Sequence, residues 1–90
     1  MNPAERKQLK ARAHKLDPVV RIGAKGLTDE VVKEIDAALK AHELIKVRAG
    51  EAERDQRSVM MAAICERTGA EAVQEIGKIL FLFRKRHDEA

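Results

Sequence analysis

Apolar positions along this chain change their period several times, and each change marks an element. Leu9, Ala13 and Leu16 recur at i, i+4 and i+7, the spacing of one helix face. Asn2, Pro3 and Glu5 stand before them as an N-cap, a first helical residue and the returning acid of a capping box, so the pattern predicts a helix over residues 3–16. Asp17 and Pro18 end it, because the residue before a proline is pushed out of the helical region, and the β-branched run Val19, Val20, Arg21, Ile22 predicts a short strand. Gly23, Ala24, Lys25 and Gly26 follow at once. Thr28 then supplies an N-cap and Asp29 with Glu30 an acidic first turn, and Val31, Ile35, Ala38, Leu39 and His42 carry helical spacing over residues 29–42.

The period shortens again at Leu44, where alternation over residues 44–49 puts Ile45 and Val47 on one face of a half-buried strand and Lys46 and Arg48 on the other. Gly50 breaks that strand. A third helix is predicted over residues 53–68 through Val59, Met60, Ala63, Ile64 and Arg67, closed by Gly69 in a left-handed conformation. Residues 73–76 and 79–83 are apolar runs around Gly77 and Lys78 and predict a β-hairpin. The second run, Ile79 to Phe83, is apolar on both faces and suits a central strand.

The order is αβαβαββ. A helix between the first two strands requires them to be parallel with a right-handed crossover, and the hairpin adds antiparallel pairing, so the fold class expected is a two-layer α/β sandwich on a four-stranded mixed sheet. Leu9, Ile22, Ile35, Val47, Ile64, Val73 and Leu80 are expected to share one core. Ninety residues suffice for one domain, placed at residues 1–85 with a short tail over 86–90.

Charge changes this picture more than composition does. The formal net charge is only +3, yet residues 1–26 carry seven Lys/Arg against two acids, residues 27–75 seven against eleven, and residues 76–90 four against two. Cations clustered at the chain ends act over a Debye length of roughly 10 Å and point to a polyanionic partner. On the first helix Arg6, Lys7, Lys10 and His14 fall within an arc of about 100°, away from the apolar stripe. With Phe81 and Phe83 as the only aromatic residues among Phe, Tyr and Trp, stacking on bases is poorly supplied, so phosphate and shape contacts are expected to dominate. A single cysteine, Cys65, makes no internal disulfide, and no apolar run reaches the ~20 residues of a membrane span. A soluble, cytoplasmic, monomeric protein without a membrane association or a small-molecule substrate is the expectation.

The GAKG segment, residues 23–26, makes an ordinary turn in many proteins. Its context sharpens it: glycines allow another backbone to come close, consecutive N–H groups can converge on an anion, a helix N-terminus follows, and Lys25 adds a full charge. It is not a nucleotide-hydrolysing P-loop, which needs two more residues between its glycines and a following Lys-Ser or Lys-Thr.

Residues 8–83 resemble the CRM domain (chloroplast RNA splicing and ribosome maturation) in its stand-alone bacterial form, the YhbY family. The likeness rests on QLKARAHKLDPVVRIGAKGLTDEVVKEIDAALKAHELIKVR and on ERTGAEAVQEIGKILFLFR. It implies a fold similar to the C-terminal domain of translation initiation factor three and binding to structured RNA. It further implies association with precursors of the large ribosomal subunit, with ribosomal RNA as partner and no catalysis. The family's GxxG loop, similar to the one KH domains press on an RNA backbone, maps onto Gly23, Ala24, Lys25 and Gly26. The candidate RNA-binding set is those four with Arg6, Lys7, Lys10, His14, Arg21, Lys46, Arg48, Lys78 and Arg84.

The remaining polar residues favour structural roles. His14 and His42 have no second ligand at i+3 or i+4, His87 lies in the tail, and no metal or cofactor is expected. Cys65 reads as a small core residue, the Met60 and Met61 pair as core, and Glu51, Glu53 and Asp55 as acids complementing a helix dipole. Ser58 and Thr68 have no companion base at a meaningful spacing. The competing reading is a protein-interaction adaptor that binds an acidic partner through the basic helix or the sheet face. A hydrolase using His14 or His42 is the remote third.

Overall fold

The computed structural model describes residues 1–86. The elements are α1 (Pro3–Ala13), β1 (Val20–Arg21), α2 (Asp29–His42), β2 (Leu44–Arg48), α3 (Arg54–Thr68), β3 (Glu71–Ile76) and β4 (Ile79–Phe83), in the expected order. The strands form one sheet in the order β1-β2-β4-β3. β1 and β2 are parallel, and the other two pairs are antiparallel. β4, apolar on both faces, is central. The expected tail begins at Arg86, and residues 87–90, His87 among them, lie outside the described residues.

Local chemistry explains the element ends. Asn2 Oδ1 accepts from the Glu5 N–H at 2.8 Å while Asn2 Nδ2 donates to Glu5 Oε1, which starts α1. The helix stops three residues short of the expectation: Lys15 and Leu16 donate to carbonyls only three residues back, and the chain turns out before Pro18. Leu16 therefore leaves the buried stripe and is exposed. Thr28 Oγ1 caps α2 by accepting from Val31 N at 3.2 Å. Glu53 N donates to Gln56 Oε1 at 3.1 Å at the start of α3, and Gly69, at φ 74°, ends that helix.

The helices cover both faces of the sheet, so the molecule has three layers where the element order alone suggested two. α2 and α3 pack on one face, where Val20, Ile22, Ile45, Val47, Leu80 and Leu82 meet Ile35, Leu39 and Ile64. α1 packs on the other, where Leu9 and Ala13 meet Leu44, Val73 and Phe81. The single core expected for Leu9, Ile22, Ile35, Val47, Ile64, Val73 and Leu80 is thus two cores, with Leu9 and Val73 on the α1 side. A register shift between Ala72 and Gln74 accompanies Val73 to that side. Two helix stripes also turn relative to expectation. α2 buries Val32, Ile35 and Leu39 while His42 is exposed, and α3 buries Met61, Ile64 and Thr68 while Val59 is 70% exposed. Thr68 is tolerated inside because its hydroxyl donates to the Ile64 carbonyl at 2.7 Å and accepts from Ala70 N.

Candidate nucleic-acid interface

Strand directions gather the candidate residues. Because β1 and β2 are parallel, both end at the same pole of the sheet, where α2 and α3 then begin. β4 runs against β2 and starts opposite Arg48, so the Gly77-Lys78 turn lies at that pole too, and Ala49 N donates to the Lys78 carbonyl at 2.8 Å. One end of the molecule therefore carries the GAKG loop, the Ala49–Glu53 connection, the hairpin turn and two helix N-termini with their partial positive charge.

The loop is a tight turn. Gly26 N donates to the Gly23 carbonyl at 3.0 Å, with Ala24 and Lys25 at the exposed tip, and Thr28 N donates to the Gly26 carbonyl at 3.1 Å. Gly26 takes a left-handed φ of 74°, where any side chain would be strained, and its missing Cβ sits 3.8 Å from Met60 Cε. Gly23 differs: its backbone is not left-handed and a Cβ there would meet nothing within 4 Å.

Beside the loop, Arg21, Arg48 and Lys78 line a small polar notch of about 190 Å³ with Gly50 and a single acid, Glu51. Arg21 and Arg48 are register partners on the face opposite Val20 and Val47, the face that carries α1. Lys46, two residues back on that face, donates from Nζ to the Leu16 carbonyl at 2.9 Å and lies 5.0 Å over the Phe81 ring. It is tethered there, with its ammonium over the face of the ring. His14 packs edge-on to the same ring at 5.9 Å, and Arg6 Nη1 reaches the Val73 carbonyl at 3.5 Å. His14 and Lys46 thus both stand against Phe81, Arg6 reaches the edge strand β3, and Lys7 is exposed. Arg12 and Lys15 point the other way, into a separate cleft with Leu16, Val19 and His42.

Arg84 does not join this surface. It follows β4 at the opposite pole, where Nη1 donates to Asp36 Oδ1 and to the Thr68 carbonyl, each at 2.6 Å, and Nη2 to the Asp36 carbonyl at 3.1 Å. Its guanidinium beside Asp36 holds that carboxyl below the usual carboxylate range, against a smaller opposing effect of burial. Arg84 is a structural clasp between α2, the end of α3 and β4, and is withdrawn from the candidate set because three of its five N–H donors hold Asp36 and the Thr68 carbonyl at the pole opposite the GAKG loop.

A groove of about 470 Å³ runs between the GAKG loop and the first two turns of α3, walled by Ala52, Val59 and Met60 and rimmed by Asp55 and Gln56. Sequence reasoning missed it. The pattern gives Val59 only as a position along the third helix, and Asp55 and Glu51 only as acids complementing its dipole; the available signal was a valine and two methionines in succession, one more apolar side chain than a single helix stripe can bury. Among the described residues no group of three or more His, Cys, Asp and Glu is placed to hold a metal. Ser58 Oγ stands 3.5 Å from Glu75 Oε1, with no histidine in that pair. Burial, with a smaller contribution from Glu71, pushes the Cys65 thiol up, which disfavours the thiolate a nucleophile needs. No helix among the described residues is long and apolar enough to cross a membrane.

Comparison with known proteins agrees with this architecture. An RNA-binding protein of Haemophilus influenzae is 44% identical over 84 residues, covering 93% of this chain and 85% of that one. A probable RNA-binding protein of Pseudomonas aeruginosa is 41% identical, covering 90% and 78%. The solution structure of a hypothetical protein of Staphylococcus aureus, described there as an RNA-binding candidate, superposes with a TM-score of 0.86 at 29% identity, over 100% of this chain and 94% of that one. Residues 1–84 match the CRS1 / YhbY (CRM) domain, and with that coverage, a closely superposing structure and relatives above 40% identity, the chain belongs to that family.

Proposed function

We propose that this protein is a non-catalytic RNA-binding protein of the cytoplasm that acts as a monomer on precursors of the large ribosomal subunit and assists their maturation. The observation that carries the reading is the convergence of Lys25, Arg21, Arg48 and Lys78, drawn from three separate chain segments, on one pole of the sheet. Folding brings like charges together at a cost, and a polyanion is the partner that repays it. The GAKG tip and the notch suit backbone phosphates. Lys46 carries the positive strip on toward α1. The relatives named as RNA-binding proteins support the same partner.

Crosslinking in cells followed by sequencing of the bound RNA tests this directly. Reads should concentrate in large-subunit rRNA and its unprocessed ends, and the protein should migrate with precursor large-subunit particles on a gradient. Reads dominated by messenger or transfer RNA would overturn the ribosomal assignment.

The adaptor reading has one observation of its own. The cleft at the opposite pole exposes Leu16 (38%) and Val19 (51%) beside Arg12, Lys15 and His42, a surface suited to an acidic, aliphatic segment of a protein. A nuclease-resistant, salt-sensitive protein complex lost on Val19→Asp would favour it.

A further inference from the structure

We infer that the cleft at the pole opposite the GAKG loop takes an extended segment of a partner protein, with acidic and aliphatic residues in alternation, as an added strand beside the first half of β2. The inference rests on the adaptor reading of that cleft and names how the partner binds. The RNA surface at the other pole stays free.

The sheet is incompletely paired at this place. β4 pairs with all five residues of β2, but β1 reaches only Val47 and Arg48. Pro18 ends the ladder on the β1 side, because it has no N–H to donate. The carbonyls of Lys46 and Arg48 accept from Val19 N at 3.0 Å and from Ile22 N at 2.8 Å, so the even-numbered residues of β2 turn their backbone groups toward β1. The Lys46 N–H and the Leu44 carbonyl continue that row past the last paired β1 residue. An open row of this kind is a template for another chain.

The cleft lies along this row. Leu44 belongs to the core under α1 and Ile45 to the core under α2 and α3, and both line it, as do Ala11 on α1 and His42 at the end of α2. A cavity bounded by residues of both sheet faces lies in the layer of the sheet itself, between the helices. Its volume is about 640 Å³. A short strand placed there would turn alternate side chains toward the two helix layers.

The rim decides what that strand carries. Leu16 and Val19 present aliphatic surface, and Arg12 and Lys15 stand beside them against a single acid, Asp17. Among the described residues neither cation has a carboxylate within 4.0 Å. RNA could use the two cations but neither the aliphatic walls nor the backbone row. An acidic, aliphatic strand uses all three.

The test uses the full chain and a labelled eight-residue peptide alternating glutamate and valine, with two further peptides N-methylated at every glutamate or at every valine. Successive N–H groups of a strand point to opposite edges, so each methylation blocks one edge. By fluorescence anisotropy at low salt, one methylated peptide should bind as the parent peptide does and the other at least about tenfold more weakly, the loss of one or two backbone hydrogen bonds. Amide spectra of the isotope-labelled chain should show shifts at Val19 and residues 44–46, with the Gly23–Gly26 amides unmoved. Arg12→Glu with Lys15→Glu, both at exposed positions, should weaken the parent peptide about tenfold while circular dichroism stays parental. Equal binding of the two methylated peptides would overturn strand addition and leave the adaptor reading standing. Failure of every peptide to bind would sink both. A uridine octanucleotide that shifts the same cleft amides and displaces the peptide would assign the cleft to RNA and overturn the inference.

Discussion

Arg21 and Arg48 are Cα partners across the parallel β1–β2 pair and leave the sheet on the same face, beside Lys78 at the same notch. Among the described residues no carboxylate lies within 4.0 Å of either guanidinium. Adjacent like charges on one sheet face oppose folding slightly, by up to ~1 kcal/mol. Arg48→Gln is therefore expected to leave the thermal midpoint unchanged or a little higher while RNA affinity falls. With roughly four to six phosphate contacts, log K should fall against log[salt] with a slope of about −3 to −5, and each arginine removed should flatten it by about 0.9. A salt titration of parent and variant checks this; equal slopes would mean that Arg48 touches no phosphate.

The loop tip makes a sharper test. Ala24 and Lys25 change without disturbing the Gly23–Gly26 hydrogen bond, so the double substitution Ala24→Asp with Lys25→Asp should keep the fold. It removes one attractive charge and adds two repulsive ones, and a loss of ~2 kcal/mol or more in RNA affinity is expected. Glu51 lines both the notch and the groove and is unsuitable as a control; Glu34→Asp, on the exposed side of α2, should change nothing. Undiminished binding by a folded double variant would reduce the loop to an ordinary turn.

Arg84 predicts the opposite pattern. Arg84→Met leaves the Asp36 carboxylate with Lys40 alone and takes a donor from the Thr68 carbonyl, with an expected loss of about 1–3 kcal/mol in stability and no change in RNA affinity of the folded fraction. Asp36 has its pKa lowered in the folded state, first by the Arg84 hydrogen bond, so its contribution is fully present above the unfolded value of about 3.9 and drains away as pH falls through the folded value. Chemical denaturation between neutral pH and pH 3 should show a shallower acid decline in Asp36→Asn than in the parent. An unchanged decline would mean that the clasp contributes no linkage.

Two cores on opposite sheet faces should behave independently. Leu9→Ala should cost about 2–5 kcal/mol and Ile35→Val about 0.5–1.5. Their sum should match the double variant within ~0.5 kcal/mol, because the two side chains share no cluster. Denaturant unfolding of the three variants measures it, and a coupling above 1 kcal/mol would mean that the sheet transmits strain between its faces.

The succession of elements was legible because period, caps and breakers are local. Asn2, Thr28 and Gly69 mark helix ends by hydrogen bonds or backbone angles within a few residues, and Ile79 to Phe83 declared a central strand by being apolar on both faces. The GAKG loop was legible for the same reason, since four consecutive residues carry it. Which face a helix turns inward was not. Val59, Met60 and Met61 are close to equivalent as apolar side chains, and only the position of the sheet beneath α3 buries Met61 and leaves Val59 open to the groove. Nor could local pattern say that α1 crosses to the far face: one amphipathic stripe fits either side of a sheet, and Leu44, Val73 and Phe81 had to be assembled from three strands before that side could bury it. Charge was the least legible quantity of all. Arg48 and Arg84 are alike in sequence, yet strand register leaves one among cations and loop closure sets the other on Asp36, because a charge acts through its neighbours in space and those are chosen by the fold.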